Sequence, residues 1–194
     1  MTVVWLCLAA YVLGSIPTGM LVARARGVNI RAVGSGNIGA TNVARAMGKR
    51  WAIFVLLCDA LKGFAPVFIG RHFLPGLADW QVALAGGAAI VGHMFTIFLR
   101  GRGGKGVATS LGVALAISAP AALCGFALYV VTYLILRLSS VGSLLGIWSF
   151  SLFAQIWGGV PRPYIILTVG AAVLVTIRHR DNIRRLLRGE EKPA

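Results

Sequence analysis

Acidic residues are scarce in this chain: five Asp and Glu stand against 19 Lys and Arg in 194 residues, a formal net charge of +14. Charge of either sign is thin as well, at 12%, where a soluble domain carries about a quarter. With 58% hydrophobic residues and a mean hydropathy of +0.83, an ordinary soluble domain is excluded. The basic residues fall in short segments between apolar runs rather than along one soluble face, which argues against a nucleic-acid partner. Cysteine is also sparse. Cys7, Cys58 and Cys124 each lie in an apolar run without a second Cys or His at ligand spacing, so they read as buried free thiols and exclude a cysteine metal site.

What is present is a succession of apolar stretches of near-spanning length. They predict an all-α polytopic membrane protein of about seven transmembrane helices, at roughly 3–24, 50–71, 80–99, 105–118, 120–136, 140–157 and 163–178. The fourth is shorter than a bilayer core requires, and a re-entrant hairpin formed with the fifth would leave five full spans. The first stretch has no basic n-region and is followed by many more, so it reads as a membrane helix rather than a secretory signal. No second domain, linker or low-complexity tract is visible, and residues 1–194 are expected to form a single membrane domain.

Lys and Arg crowd the segments after the first, third, fifth and seventh stretches, whereas only Arg71 and Arg162 fall on the other side. The positive-inside rule then puts the N-terminus outside and the C-terminal tail in the cytoplasm. Spans two, four and six begin at that cytoplasmic face, so their positive dipole ends point there. The small-residue patches Gly86-Gly87-Ala88-Ala89 and Gly170-Ala171-Ala172 read as close helix contacts in lipid. Trp5, Trp80 and Trp157 near span ends read as interfacial anchors.

Two glycine-rich segments lie at the cationic face: Gly34-Ser35-Gly36-Asn37-Ile38-Gly39-Ala40-Thr41-Asn42, and Arg100-Gly101-Arg102-Gly103-Gly104-Lys105-Gly106. Glycine lets backbone N–H groups approach an anion, Lys or Arg adds fixed charge, and a helix start supplies unpaired donors. Both segments are built to hold phosphate at a membrane surface. Asn37 is placed as N-cap of a short helix over about 39–47, where Thr41 and Arg45 share a face and Arg45 points back to the loop. The second segment is no Walker loop, because Lys105 is followed by Gly106 and no strand precedes it. Its arginines read more simply as an anchor on anionic lipid.

His179 and Asn182, three residues apart at the end of span seven, can face inward together. His93 reads as an intramembrane hydrogen-bonding group able to approach the second loop. Asp59 and Lys62, also spaced by three, read as a structural ion pair that lowers the cost of charge in the membrane.

Taken in order, these segments resemble the bacterial acyl-phosphate:glycerol-3-phosphate acyltransferases, the PlsY family. The resemblance runs from Gly14-Ser15-Ile16-Pro17 through both glycine-rich segments, Asp59-Ala60-Leu61-Lys62-Gly63, Gly92-His93, and Ser140 with Ser143, to His179-Arg180-Asp181-Asn182-Ile183-Arg184-Arg185-Leu186. It implies a seven-helix enzyme of the bacterial cytoplasmic (inner) membrane. That enzyme moves a fatty acyl group from acyl phosphate to the sn-1 hydroxyl of glycerol 3-phosphate, releasing lysophosphatidate and inorganic phosphate, with no metal or cofactor. Protein partners are left open.

The implied catalytic residues are Ser35, Arg45, Lys105, His179 and Asn182. The implied binding residues are Gly36, Asn37, Thr41, Asn42, Gly103, Gly104, Gly106 and Ser143. Glu191 reads as structural, and the Arg100-Gly101-Arg102 lead-in is more basic than the pattern requires. The sixth positions counted from His72, His93 and His179 are Leu77, Phe98 and Arg184, so the HxxxxD pattern of acyl-CoA-dependent enzymes is absent. The remaining alternatives are a transporter of a phosphorylated anion, disfavoured because the motifs crowd one face, and a lipid-binding scaffold, which leaves the ordered Gly, Ser, Thr and Asn unexplained.

Overall fold

The computed structural model describes residues 1–157, 159–191 and 193, and all regular structure among them is helical. The helices are α1 (Thr2–Ser15), α2 (Thr18–Ala25), α3 (Ala40–Met47), α4 (Lys49–His72), α5 (Asp79–Met94), α6 (Val107–Ile117), α7 (Ala119–Leu136), α8 (Ser139–Ile156), α9 (Arg162–Arg178) and α10 (Arg180–Leu187). The first expected span is broken at Ile16-Pro17. Pro17 has no N–H to give and disfavours helical geometry in the residue before it, so α1 ends and α2 restarts.

Five segments are long and apolar enough to cross a bilayer: Thr2–Ala25, Lys49–His72, Asp79–Leu99, Ala119–Leu136 and Ser139–Ile156. The other two expected spans are shorter. α9 has 17 residues, the lower end of the spanning range. α6 has 11 and at 1.5 Å per residue covers only about half of a 30 Å hydrocarbon core.

Large side chains face outward along these helices: Leu57, Leu61, Ile135 and Ile166 are all exposed, as a lipid-facing surface demands. Inside, small residues let backbones approach. A Cβ on Gly63 would stand 2.1 Å from the Thr109 carbonyl oxygen, and one on Gly112 would stand 1.8 Å from that of Ala60, so α4 and α6 meet backbone to backbone. Gly125 of α7 and Gly146 of α8 oppose each other in the same way. Of the two patches expected to make close contacts, Gly86 does, pressed between Val67 and Leu167. Gly170 has open space around its Cβ position, so that patch is not a close contact at Gly170.

The main core gathers Val67, Val82, Ile90, Met94, Val113, Tyr164 and Val175 from α4, α5, α6 and α9. A second cluster of Met20, Ile30, Ile38, Val43 and Val55 seats the first glycine-rich loop against α2 and α4. Trp5, Trp80 and Trp157 are exposed at the N-termini of α1 and α5 and just past α8, as interfacial anchors would be.

Asp59 and Lys62 form the expected pair, 2.8 Å apart and buried, and Lys62 also donates to the Ile16 carbonyl where α1 ends, at 2.8 Å. One ammonium thus balances the carboxylate and satisfies a carbonyl freed by the helix break.

Candidate functional site

The first glycine-rich loop is organised by Asn42, which is 1% exposed. Its amide nitrogen lies 3.1, 3.0 and 2.9 Å from the carbonyl oxygens of Ile30, Val33 and Asn37, which share its two hydrogens, and its oxygen accepts the Ser35 N–H at 3.0 Å. Gly34 is left-handed (φ 54°), and a Cβ there would sit 2.5 Å from the Asn42 oxygen and 3.2 Å from Arg45 Cδ. Arg45 therefore folds back on the loop as the sequence suggests. The helix itself starts one step later than expected. Gly39, not Asn37, is the N-cap of α3, and no side chain caps it.

The second loop is anchored from behind. The N–H groups of Gly103 and Gly104 donate to the carbonyls of Met94 and His93, both at 3.1 Å, and the Arg178 guanidinium donates to the carbonyls of Gly103 and Gly104. A Cβ on Gly104 would meet His93 Nε2 at 2.2 Å, so the His93 ring braces the loop. These two glycines are consumed in holding the loop. Lys105 is thereby presented forward, and Gly106 (φ 87°) caps α6.

The third element begins where α9 ends. His179 is buried, and its Nδ1 is 2.8 Å from the Val175 carbonyl. Lys105 Nζ donates to Asn182 Oδ1. Asn182 Nδ2 in turn donates to Glu191 Oε1 at 2.5 Å, and Arg185 Nε meets Glu191 Oε2 at 2.6 Å. A fourth wall comes from the start of α8: Thr41 Oγ1 and Ser139 Oγ are 3.0 Å apart, Tyr129 OH is 3.3 Å from Ser139 Oγ, and Ser143 Oγ donates to the Ser139 carbonyl at 2.7 Å.

These walls enclose one cavity of about 420 Å³. Its polar end is lined by Ser35, Asn37, Thr41, Asn42, Arg45, Lys105, Gly106, Ser143, His179 and Asn182; the other end runs between α6, α7 and α8 past Leu111, Ala114, Ala122, Gly125, Ile147 and Phe150. Gly36, Gly103 and Gly104 are not among its lining residues. Gly36 lies behind the first loop, where its carbonyl accepts from Arg31 Nη1 at 3.2 Å. Sequence reasoning gave no site role to Lys49, Tyr129 and Tyr133, all of which line the cavity, as does Ser139 from the Ser139-Ser140-Val141-Gly142-Ser143 start of α8, which the sequence placed at the same face. Tyr129 and Tyr133, four apart and stacked with centroids 6.2 Å apart, carried a signal in their spacing. Asp59 and His93, expected to be structural, also reach its lining.

The charges are tuned by burial. Burial pushes the Lys105 ammonium down from its ordinary 10.5 to about 8, while Glu191 pulls the other way. Burial and the neighbouring Lys105 charge lower His179 to about 4, leaving a neutral imidazole near pH 7. With Nδ1–H donating to Val175, Nε2 is left as an acceptor. Burial by itself would raise the Glu191 carboxyl, but hydrogen bonds from Arg185 and Asn182 outweigh it and hold it below the ordinary value.

Fold and site together define a polytopic membrane enzyme with a cationic cradle at the mouth of an apolar groove. The family model described as glycerol-3-phosphate acyltransferase matches residues 4–189. A glycerol-3-phosphate acyltransferase of Rubrobacter xylanophilus is 48% identical over 189 residues, covering 97% of this chain and 94% of the relative. One of Geobacter sulfurreducens is 49% identical, covering 94% and 92%. Among solved structures, the glycerol 3-phosphate form of the integral membrane enzyme PlsY (YgiH) superposes with a TM-score of 0.95 at 40% identity, over 100% of this chain and 96% of that one. Its lysophosphatidic acid form gives 0.92 at 39%, over 100% and 95%. The chain belongs to the glycerol-3-phosphate acyltransferase family and is an integral membrane acyltransferase.

Proposed function

We propose that this chain transfers a fatty acyl group from acyl phosphate to the sn-1 hydroxyl of glycerol 3-phosphate at the cytoplasmic face of a bacterial inner membrane, the first step of phospholipid synthesis. The observation that carries the reading is the single cavity that joins Arg45, Lys105, His179 and Asn182 to an apolar groove. One end suits two phosphates and the other a fatty chain.

Acyl phosphate is a mixed anhydride, with an electrophilic carbonyl and phosphate as leaving group, so no enzyme nucleophile is needed. The glycerol oxygen attacks the carbonyl carbon, the bond from that carbon to the phosphate oxygen breaks, and the departing phosphate accepts the hydroxyl proton. Lys105 and Arg45 neutralise the phosphates and the developing oxyanion. The Ser35 hydroxyl and the first-turn amides of α6 at Gly106 and Val107 add donors. His179 Nε2 and Asn182 position the acceptor hydroxyl, and Thr41 and Ser143 form the facing wall. Asn37 contributes at the rim, whereas Asn42, Gly36, Gly103 and Gly104 act by shaping the loops.

Purified protein supplied with acyl phosphate and radiolabelled glycerol 3-phosphate should yield labelled lysophosphatidate and equimolar phosphate, with acyl-CoA failing as donor. Uptake of label into liposomes without product would point to a transporter instead.

A further inference from the structure

A second cavity, of about 370 Å³, is lined by Met20, Arg31, Phe98, Leu99, Arg100 and Arg102. Three of its six lining residues are arginines, and among the described residues none of them is ion-paired with an acid. The Arg31 guanidinium donates to the carbonyls of Gly36 and Arg102 and so ties the two glycine-rich loops together. Partial burial, and after it the charge of Arg102, disfavours its protonated form.

A further observation says what kind of anion fits. Near the arginines in sequence, Ile97 and Phe98 are 52% and 55% exposed on the spanning segment Asp79–Leu99, and Leu21, next to the lining residue Met20 on the segment Thr2–Ala25, is 49% exposed. A soluble anion would leave that apolar rim in water. A lipid-borne one would cover it.

We propose that this cavity binds the phosphodiester headgroup of an anionic membrane phospholipid, with Arg31, Arg100 and Arg102 around the phosphate and an acyl chain along Phe98 and Ile97. The planar guanidinium fork matches phosphate oxygens in pairs. Diffuse attraction of a basic surface to an anionic leaflet would not single out this position. The site is separate from the catalytic cavity and does not depend on the acyl-transfer reading.

The test uses the full chain in nanodiscs of phosphatidylcholine with a minor fraction of phosphatidylglycerol, counting lipids retained by native mass spectrometry after extraction into detergent. Wild type should retain one phosphatidylglycerol. Arg100→Gln/Arg102→Gln should bind it about tenfold more weakly while keeping the wild-type thermal unfolding temperature, which shows that it is folded. Arg100→Lys/Arg102→Lys should fall between the two. Arg24→Gln/Arg188→Gln, which removes equal charge elsewhere, should retain the lipid, and so should Lys105→Ala, whose lesion lies in the other cavity. Undiminished retention by the Arg100/Arg102 pair of substitutions, equal loss in both charge-removing pairs, loss in Lys105→Ala, or displacement by inorganic phosphate would each overturn the proposal.

Discussion

The ammonium of Lys105 donates to the amide oxygen of Asn182, 77 residues away, and so joins the loop ahead of α6 to α10. Because burial lowers Lys105 to about 8, the charge needed to neutralise phosphate is present at neutral pH and is lost as pH rises through that value. Initial rates should show an alkaline limb near pH 8. Lys105→Ala should cost about a hundredfold or more, and Lys105→Arg should retain part of the rate and lack the limb. Wild-type rates that stay flat well above pH 8 would refute the assignment.

His179, near 4 because of burial and the adjacent ammonium, is already neutral through the pH 5 to 7 range. No acid limb from this group should appear there, and His179→Ala should lower kcat about a hundredfold. An acid limb near the ordinary histidine value, present in wild type and missing in the variant, would show an imidazolium at work.

Glu191 raises the Lys105 value by its charge and fixes the Asn182 amide by a 2.5 Å hydrogen bond. Glu191→Gln should therefore move the alkaline limb to lower pH as well as reduce the rate. A purely structural residue would lower the rate with the limb unmoved, so the pH profile separates the two roles.

Gly104 cannot accept a side chain without displacing the buried His93 ring, which would lie 2.2 Å from the new Cβ. Gly104→Ala should cost about 1–3 kcal/mol of stability and a larger share of activity, because the loop presenting Lys105 must shift. Thermal unfolding and kcat, measured together, check this. A variant with unaltered kcat would show that Lys105 is positioned by something else.

The apolar groove ends near Phe150, eleven residues from Ser139 at the polar end, or about 16 Å along α8. That is close to one leaflet of hydrocarbon. Phe150→Ala should deepen the groove and raise kcat/KM for longer acyl phosphates relative to shorter ones. Competition between two donor lengths gives the ratio, and an unchanged ratio would place the end of the acyl chain elsewhere.

Much of the cavity's polar lining was legible because few residue types suit an anion at a membrane surface. Glycines, a Lys, an Arg and a His–Asn pair spaced by three stood out against an apolar background, and Arg45 folds onto its loop as its spacing with Thr41 requires. Asn42 and Gly104 were less legible. Composition alone cannot separate a glycine that opens its N–H to a ligand from one that spends it on the end of a neighbouring helix. Tyr129 was missed because its hydroxyl matters only once α7, α8 and α3 meet.

By itself the amino-acid order determined that this chain lives in lipid, that its helices are apolar and that its cations gather in a few short segments, since hydropathy and charge act locally and survive without knowledge of contacts. Tertiary structure alone decided that Lys105 reaches Asn182, that the break at Pro17 is answered by Lys62, that α6 spans only half a bilayer core, and that two cavities flank one loop. Those outcomes depend on how closely small residues let the helices approach, a property of pairs far apart in the chain.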